Sequence, residues 1–341
     1  AGGNSIDRFP PTGYTACLIM MSKKAPQTAA DRNQMLEHAT CVQPDLDEFD
    51  QKLHDYLRGD SPLITSIAQH LLRSKGKRMR PLFLFLTSRA ADNYTPFTVD
   101  ASLAIELIHT ATLLHDDVVD ESELRRGQET VNAQWTNLIS VLMGDYLFAK
   151  AFRIMVDSRS MDLMQAIAHA TGRVSVGELR QIEETGNYAL SEEEYLTIIA
   201  DKTASLFSLA CETGPILAGR GRRDRQRFAH FGEKIGTAFQ IVDDLLDFVG
   251  DAEITGKEPG NDVLTGKVTL PLIHALKKAG RGGHDEIIAH LRRRDRRPSF
   301  ERVLAFVREQ GGIEHAYGRA RALSEEGLAA ITPVTPSEYF D

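Results

Sequence analysis

The sequence predicts an all-α protein, and three observations support this fold class. From about residue 45 onward, apolar residues recur at helical spacing, as in the first such segment, Leu46–Leu57. The alternation of apolar and polar residues that is typical of strands is hard to find. Gly-rich or Pro-containing breaks separate the helical segments. These features predict a large bundle of helices, in which a ligand site is built from side chains that project between facing helices.

Proline marks where the first helices begin. Pro44-Asp45 precedes the first helix, Ser61-Pro62 starts the second, and Arg80-Pro81 opens a third after the basic loop Lys75–Arg80. Beyond these, the apolar spacing predicts helices at about 98–119, 129–156, 161–184, 191–219, 224–250, 268–279, 285–293, 299–309 and 311–330.

The two ends of the chain depart from this pattern. Residues 1–40 carry Pro10-Pro11, scattered charge and little periodicity, so we expect a mobile N-terminal extension before an all-α domain over residues 41–341. The segment Ser337–Asp341, after Pro336, is similar to the first turn of another helix. We therefore expect the native chain to continue past Asp341.

Composition excludes several classes of function. The apolar content of 42% and the charged content of 26% describe an ordinary globular protein, and the net charge of −8 argues against nucleic acid as a partner. The three cysteines are widely spaced and suggest neither a disulfide framework nor a zinc site, so we expect a reducing, cytoplasmic location. No apolar run approaches the roughly 18 residues that a transmembrane segment needs.

Two copies of an acidic pentad are the most informative feature of the chain. They are Asp116-Asp117-Val118-Val119-Asp120 and Asp243-Asp244-Leu245-Leu246-Asp247, and both interrupt apolar sequence, whereas a lone copy is often only a solvated helix end. Three carboxylates within one and a half helical turns repel one another and resist burial. Mg²⁺ suits them, because it takes hard oxygen ligands and is usually shared between carboxylates and substrate phosphates. Two such clusters that face each other would clamp a diphosphate.

Basic residues close to these motifs in sequence are candidates for binding phosphate. They are Lys77, Arg80, Arg125, Arg126, Lys202, Lys257 and Lys267. Arginine forks match phosphate oxygens, and lysine supplies a point charge. For most of them a solvated surface cation is the simpler explanation, but Lys202 interrupts an apolar run. Gln240, one turn before Asp243, and His109 are each either a polar core residue or a ligand contact.

The run Ile105–Gly127, which contains the first pentad, resembles the first aspartate-rich motif of trans-polyprenyl diphosphate synthases, specifically long-chain members of the octaprenyl to decaprenyl kind. The similarity covers about residues 45–330. It includes further motifs in the same order, namely Gly76–Pro81, Gly177–Gln181, Lys202-Thr203, Gly236–Asp247 and Gly266–Pro271. The resemblance implies a single large bundle of the isoprenoid synthase type, with the active site in the central cavity between helices.

The resemblance also implies a role for each candidate residue. Three Mg²⁺ ions on an allylic diphosphate would be held by Asp116, Asp117, Asp120, Asp243, Asp244 and Asp247. That diphosphate would contact Arg125, Lys202 and Lys257, whereas isopentenyl diphosphate would contact Lys77, Arg80, His109 and Arg126. Thr203 and Gln240 would lie beside the developing allylic cation, and Lys267 would help to close the site.

The implied reaction is head-to-tail condensation of isopentenyl diphosphate onto an allylic diphosphate such as farnesyl or geranylgeranyl diphosphate. Ile108, Thr112 and Asp116 are spaced i, i+4 and i+8 and share a helix face that Ala111 flanks, so Ile108, Ala111 and Thr112 are candidates for setting chain length. Farnesyl-making relatives place aromatic residues at one or both of positions 111 and 112, whereas this chain has small ones. We expect an all-trans product of about C40–C50, a quinone side-chain precursor. The family further suggests a homodimer. The protein would contact a membrane only peripherally, for release of the product.

Alternative interpretations remain at the level of sequence. One is a medium-chain synthase that stops at C15–C20. Another is a non-catalytic subunit of a heteromeric prenyltransferase, which would be expected to have lost acidic or basic ligands. A terpene cyclase would normally carry a different second metal motif. A His-Asp metal hydrolase, suggested by His115-Asp116-Asp117, needs further histidine ligands that the sequence does not place.

Overall fold

The computed structural model describes residues 41–58, 61–73, 76, 78–90, 92–125, 127–249, 260–292 and 297–331. Within them the chain is helical nearly throughout, which confirms the predicted all-α fold. No helix in these ranges is both long enough and apolar enough to span a bilayer. The predicted extension over 1–40 and the predicted turn at 337–341 lie outside the described residues.

In chain order the described helices are α1 (Gln43–Tyr56), α2 (Pro62–Arg73), α3 (Met79–Ala90), α4 (Thr98–Val119), α5 (Val131–Gln134), α6 (Asn137–Asp157), α7 (Met161–Glu183), α8 (Glu192–Ile199), α9 (Ser205–Leu217), α10 (Arg222–Val249), α11 (Asn261–Thr265), α12 (Leu270–Lys278), α13 (Arg281–Leu291), α14 (Arg297–Glu309) and α15 (Gly312–Ile331). A π-helical turn, Ala200–Ala204, joins α8 to α9. A short antiparallel hairpin pairs β1 (Leu124–Arg125) with β2 (Gln128–Glu129).

These elements form two compact units. Of the described residues, the first unit comprises 41–171, 206–232 and 330–331, and the second comprises 172–205 and 233–329. The first unit therefore contains α1 to α6 and nearly all of α9, and the second contains α8 and α11 to α14, whereas α7, α10 and α15 each contribute residues to both.

In the first unit, α4 is a central helix. Every residue from Thr98 to Ile108 is buried except the half-buried Asp100, because this stretch is apolar or small nearly all round. Aromatic packing supports the same core, since the Phe83 ring contacts Phe207 and Phe231 edge-on, with centroids 5.8 and 6.2 Å apart. The last turn of α4, which carries the first pentad, therefore extends from a closely packed, buried segment.

In the second unit, a single apolar cluster joins α8, α10 and α12 to α15. Its buried members include Ile241, Leu270, Ile287 and Val303. The start of α8 is fixed by a capping box at Ser191, whose Oγ accepts from the Glu194 N–H at 3.2 Å while Glu194 Oε2 accepts from the Ser191 N–H at 2.9 Å. This packing and capping set the positions of the residues around the second pentad.

The structure differs from the predicted helices at three places. The helix predicted at 129–156 is broken, because Thr130 and Thr136 each cap a new helix start by accepting from the N–H three residues on. The helix predicted at 191–219 contains the π-turn. Helix α11, at Asn261–Thr265, was not predicted; it begins after Gly260, whose φ is 90°.

Candidate active site

The first pentad occupies the C-terminal turn of α4. Asp116 is half-buried, Asp117 is buried, and the exposed Asp120 ends the helix with its N–H bonded to the Asp116 carbonyl at 2.8 Å. Carboxylates at a helix C-terminus meet the negative end of the helix dipole. The cluster is therefore electrostatically unfavourable on its own, and a nearby cation would stabilise it.

Part of that compensation comes from the hairpin that follows. Arg125 on β1 donates from Nε to Asp117 Oδ1 at 2.8 Å, and its Nη2 lies 2.8 Å from the same oxygen. The hairpin is anchored by Thr130, whose hydroxyl donates to the Ser122 carbonyl at 2.7 Å, and it turns at Gly127 with a φ of 74°. Arg125 is thus held beside the first pentad.

The second pentad lies near the C-terminus of α10 and shows a similar burial pattern. Asp243 is exposed, Asp244 is buried, and Asp247 is partly buried. The Asp247 carboxylate accepts from the backbone N–H groups of Asn261 and Asp262, at 3.1 and 2.9 Å. This contact gives Asp247 a structural function at the start of α11, in addition to its predicted role as a metal ligand.

A chain of hydrogen bonds connects Asp244 to two other predicted residues. Gln240 donates from Nε2 to Asp244 Oδ1 at 2.7 Å, and Thr203 donates its hydroxyl to Gln240 Oε1 at 2.8 Å. The other oxygen of Asp244, Oδ2, accepts from the Tyr195 hydroxyl at 2.7 Å. The structure therefore brings Thr203, Gln240 and Asp244 together, and it adds Tyr195, which sequence reasoning missed.

Burial, together with nearby negative charge, favours the protonated form of two carboxyl groups around the second pentad. Burial, the largest cause, raises the pKa of Asp244 to about 7, against the opposing hydrogen bonds from Tyr195 and Gln240. Burial also raises the pKa of Asp262 well above its usual value; the nearby Asp244 and Asp247 carboxylates add to this, and Lys267 opposes it. Sequence reasoning missed Asp262, because Gly260-Asn261-Asp262 has the composition of a turn.

These residues fit a hard divalent cation by their donor chemistry. Besides burial, the nearby carboxylate of Asp247 raises the pKa values of both Asp244 and Asp262. A bound cation stabilises such acids most, because it replaces the protons that burial and like charge would otherwise favour. Among the described residues, no group of three or more His, Cys, Asp or Glu side chains is already arranged around a common metal position.

Lys202 lies in the π-turn, which α7 supports from one side. Its ammonium forms an ion pair with Glu178 of α7, and both side chains are mostly shielded from solvent. Gly177 packs on the turn itself, because a Cβ at this position would be 2.4 Å from the Lys202 backbone nitrogen. Asp201 is held by Arg173 at 2.7 Å and by Arg180 at 3.0 Å. The apolar setting predicted for Lys202 thus contains a specific carboxylate partner.

The remaining predicted residues lie on several elements. The Arg80 guanidinium lies over the Phe207 ring, 4.9 Å from its centroid. His109 is half-buried, and its carbonyl accepts from the Thr112 hydroxyl at 2.8 Å. Ile108 and Ala111 are fully buried on α4. The Lys267 N–H bonds to the Asp262 carbonyl at 2.8 Å. Lys77, Arg126 and Lys257 lie outside the described residues.

An all-α chain with two aspartate-rich helix ends and adjacent phosphate-binding candidates has the features of a metal-dependent prenyltransferase, and comparison with known proteins agrees. A family model described as polyprenyl synthetase matches residues 61–306. The octaprenyl diphosphate synthase of Haemophilus influenzae is 34% identical over 87% of this chain and 90% of its own length.

Solved structures show the same relationship. The polyprenyl synthase of Caulobacter crescentus, solved with calcium and isoprenyl diphosphate, has a TM-score of 0.83 and 33% identity, covering 89% of this chain and 93% of its own. For a decaprenyl diphosphate synthase from Rhodobacter capsulatus the TM-score is 0.81 and the identity 35%, covering 89% and 94% of the two chains.

The chain belongs to the polyprenyl synthetase family. It is therefore a trans-prenyltransferase with the isoprenoid synthase fold, and its substrates are isopentenyl diphosphate and an allylic diphosphate. Family membership also supports a divalent metal cofactor.

Proposed function

We propose that this protein makes an all-trans polyprenyl diphosphate of about C40–C50 by repeated Mg²⁺-dependent addition of isopentenyl diphosphate, and that the product serves as a quinone side-chain precursor. The observation that carries the proposal is the pair of aspartate pentads at helix ends, each with its second carboxylate buried and anchored by protein donors. The long product is supported by the similarity to octaprenyl and decaprenyl diphosphate synthases.

The six pentad carboxylates are the proposed Mg²⁺ ligands, with three ions on the allylic diphosphate. Asp116, Asp120 and Asp243 are more exposed than Asp117 and Asp244 and so more accessible to an ion, whereas Asp117 and Asp244 are anchored. Bound Mg²⁺ would act as a Lewis acid that neutralises the leaving diphosphate.

The basic residues divide between the two substrates. Arg125, Lys202 and Lys257 bind the diphosphate group of the allylic substrate, and this group departs with the electron pair of the broken carbon–oxygen bond. Lys77, Arg80, His109 and Arg126 bind isopentenyl diphosphate, whose double bond attacks C1 of the allylic cation. The new cation then loses a proton to the departed diphosphate held nearby. The oxygens of Thr203 and Gln240 stabilise that cation. Lys257 and Lys267 help to close the site against water, which would quench it.

Farnesyl or geranylgeranyl diphosphate is the proposed starter, and a homodimer is the proposed assembly. On α6, Leu138, Leu142, Phe152 and Val156 lie within one helix face and are between 45% and 68% exposed, an apolar surface that a second copy would cover. Light scattering should give the mass of a dimer for the wild-type protein and of a monomer for Leu142→Glu.

The function is tested by incubating the protein with farnesyl diphosphate, labelled isopentenyl diphosphate and Mg²⁺, and by separating the products by chromatography. A ladder that ends between C40 and C50 supports the proposal. A labelled product that stops at C20 would indicate a medium-chain synthase, and so would a labelled C15 product formed only when geranyl diphosphate replaces farnesyl diphosphate. Absence of label from every product with either starter, with the metal and isopentenyl diphosphate present, would indicate a non-catalytic subunit and overturn the proposal.

A further inference from the structure

We propose that Tyr195 is a positioning residue for metal binding at the second pentad, where its hydroxyl fixes the carboxylate of Asp244 in one orientation. This inference rests on the proposed function, in which Asp244 belongs to the metal-binding carboxylates. Tyr195 lies on α8, before the π-turn that contains Thr203, and it belongs to neither pentad.

The geometry constrains both oxygens of the Asp244 carboxylate. Tyr195 donates to Oδ2 and Gln240 donates to Oδ1, each at 2.7 Å, so rotation of the carboxylate about its last side-chain bond would break both bonds. Each carboxylate oxygen can accept more than one interaction, so these two donors leave capacity for a cation. A carboxylate that is held in this way loses little rotational freedom when an ion binds.

The fixed carboxylate of Asp244 in turn orients the side chains of Gln240 and Thr203. With Nε2 directed to Asp244, the Gln240 amide presents Oε1 to the Thr203 hydroxyl, which donates to it at 2.8 Å. The orientation of the amide thus depends on a fixed acceptor at Asp244. Tyr195 therefore supports a chain of side chains that runs from the metal-binding carboxylate to the residues proposed beside the allylic cation.

The ring of Tyr195 is packed among apolar residues, and its hydroxyl is the group that makes a polar contact with Asp244. The residue is 3% exposed and packs in the apolar cluster of the second unit, close after the capping box that fixes the start of α8. Phenylalanine would fill the same space without a polar atom to satisfy. A buried hydroxyl is costly unless it is hydrogen-bonded, and here its partner is Asp244.

The test is the Tyr195→Phe variant, with direct binding of Mn²⁺ as the first readout. Electron paramagnetic resonance measures the concentration of unbound Mn²⁺ in the presence of inorganic pyrophosphate. Loss of a group that orients a metal ligand typically weakens metal binding by about 10- to 100-fold. We expect a loss of that size, together with a matching rise in the Mg²⁺ concentration needed for half-maximal activity.

Tyr188→Phe is the matched control. Tyr188 packs against the same apolar cluster, and its hydroxyl donates to the Leu291 carbonyl at 3.0 Å, so the variant loses a comparable bond without touching a carboxylate. It should bind Mn²⁺ as the wild-type protein does. An equal loss of affinity in both variants would overturn the positioning role, because it would show a general effect of loosening the core.

A double-mutant cycle with Asp244→Ala identifies the route of the effect. If Tyr195 acts through Asp244, adding Tyr195→Phe to Asp244→Ala should change the Mn²⁺ affinity less than twofold. A full additional loss in the double variant would overturn the inference.

If Tyr195→Phe does not fold, 3-fluorotyrosine in the otherwise unaltered protein gives a second measurement. The fluorine resonance of Tyr195 should then shift on addition of Mg²⁺ and pyrophosphate, and an unchanged resonance would overturn the inference.

The proposed function and the positioning role can fail separately. If the wild-type protein condensed no isopentenyl diphosphate but Tyr195→Phe still bound Mn²⁺ at least 10-fold more weakly, the function would be wrong and the positioning role would stand. If the wild-type enzyme were active and Tyr195→Phe bound Mn²⁺ equally well, only the positioning role would be wrong.

Discussion

At the scale of single residues, both pentads divide their three carboxylates in a similar way. The second aspartate is buried and bonded to protein donors, whereas the first is the more exposed member of the adjacent pair. Replacing Asp117 would leave Arg125 without its carboxylate, and replacing Asp244 would leave Gln240 and Tyr195 without theirs. Asp116 and Asp243 are therefore the positions where loss of metal binding is least confused with loss of structure.

Asp116→Ala and Asp243→Ala should each lower turnover by several orders of magnitude while the melting temperature stays the same or rises. Removing one carboxylate relieves repulsion in the metal-free protein but weakens the binding of the ion that neutralises the leaving group. Steady-state kinetics at saturating Mg²⁺ and thermal melts measure the two effects. Asp285→Ala, an exposed aspartate on α13, is the control. Near-normal turnover in either pentad variant would contradict the metal assignment.

The candidate residues that sequence reasoning found and those it missed differ in a physical respect. The pentads were recognisable because carboxylates repeated at helical spacing within apolar sequence have no ordinary structural explanation. Tyr195 and Asp262 carry no such local signal, and Glu178 is marked only as a member of the Gly177–Gln181 motif. Their relevance comes from contacts with residues distant in sequence, such as Asp244 and Lys202. A tyrosine at an apolar helix position predicts only a core residue.

At the scale of elements, the contact between α7 and the π-turn holds Lys202 and Thr203 in place. Sequence periodicity predicts one helix through residues 191–219, because the residues of the π-turn include no Gly or Pro that would mark an interruption. The close approach at Gly177 explains how α7 can support the widened turn. This feature depends on packing between helices, so it could not be predicted from the apolar spacing of either helix alone.

Gly177→Ala should therefore lower the free energy of unfolding by about 1–3 kcal/mol, because its Cβ would overlap the Lys202 backbone and force the helices apart. Gly172→Ala, on the same helix, is the matched control. Its Cβ would meet nothing within 4 Å, so the higher helix propensity of alanine should stabilise the protein by about 0.5–1 kcal/mol. Urea denaturation measures both changes. Equal effects at the two positions would refute the close-packing argument.

Helices α12 and α15 carry a stacked pair of histidines. The rings of His274 and His315 lie 4.0 Å apart, and His315 also pairs with Glu192 at 2.8 Å. Burial lowers the pKa of His274 below 6.5; the charges of His315, Lys278 and Lys277 add to this, and Glu192 opposes it. The unfolded chain thus binds a proton at His274 more readily than the folded one.

It follows that stability should be insensitive to this group well above pH 6.5 and should fall as the pH drops below that value. In His274→Gln the decrease in stability between neutral and mildly acidic pH should be smaller than in the wild-type protein. Melting temperatures across this range measure the difference. His169→Gln, which removes an exposed imidazole on α7, should retain the wild-type decrease. A wild-type pH dependence in His274→Gln would contradict the assignment to His274.

At the scale of the whole molecule, the fold class was predictable because nearly every segment follows one periodicity and the chain has few competing strand signals. The division of the described chain into two compact units was not predictable, since each unit combines segments that are far apart in sequence. Product length is likewise a property of the assembled molecule. The sequence indicates only which helix face the growing chain would follow.

Thr112 provides the sharpest test of that face. It lies one turn before Asp116, about 6 Å along the axis of α4, and it is partly exposed, whereas the neighbouring Ala111 is fully buried. A phenylalanine at Ala111 would overpack the core, so Thr112→Phe separates chain length from stability more cleanly. We expect the products of Thr112→Phe to shift from C40–C50 toward C20, the product of one condensation onto farnesyl diphosphate, while the rate of that first condensation is retained, because the added ring obstructs only the elongating tail. Thr112→Val, which keeps the side-chain volume, should leave the product ladder unchanged. Chromatography of products labelled with isopentenyl diphosphate measures both ladders, and an unaltered ladder in Thr112→Phe would show that this helix face does not set the length of the product.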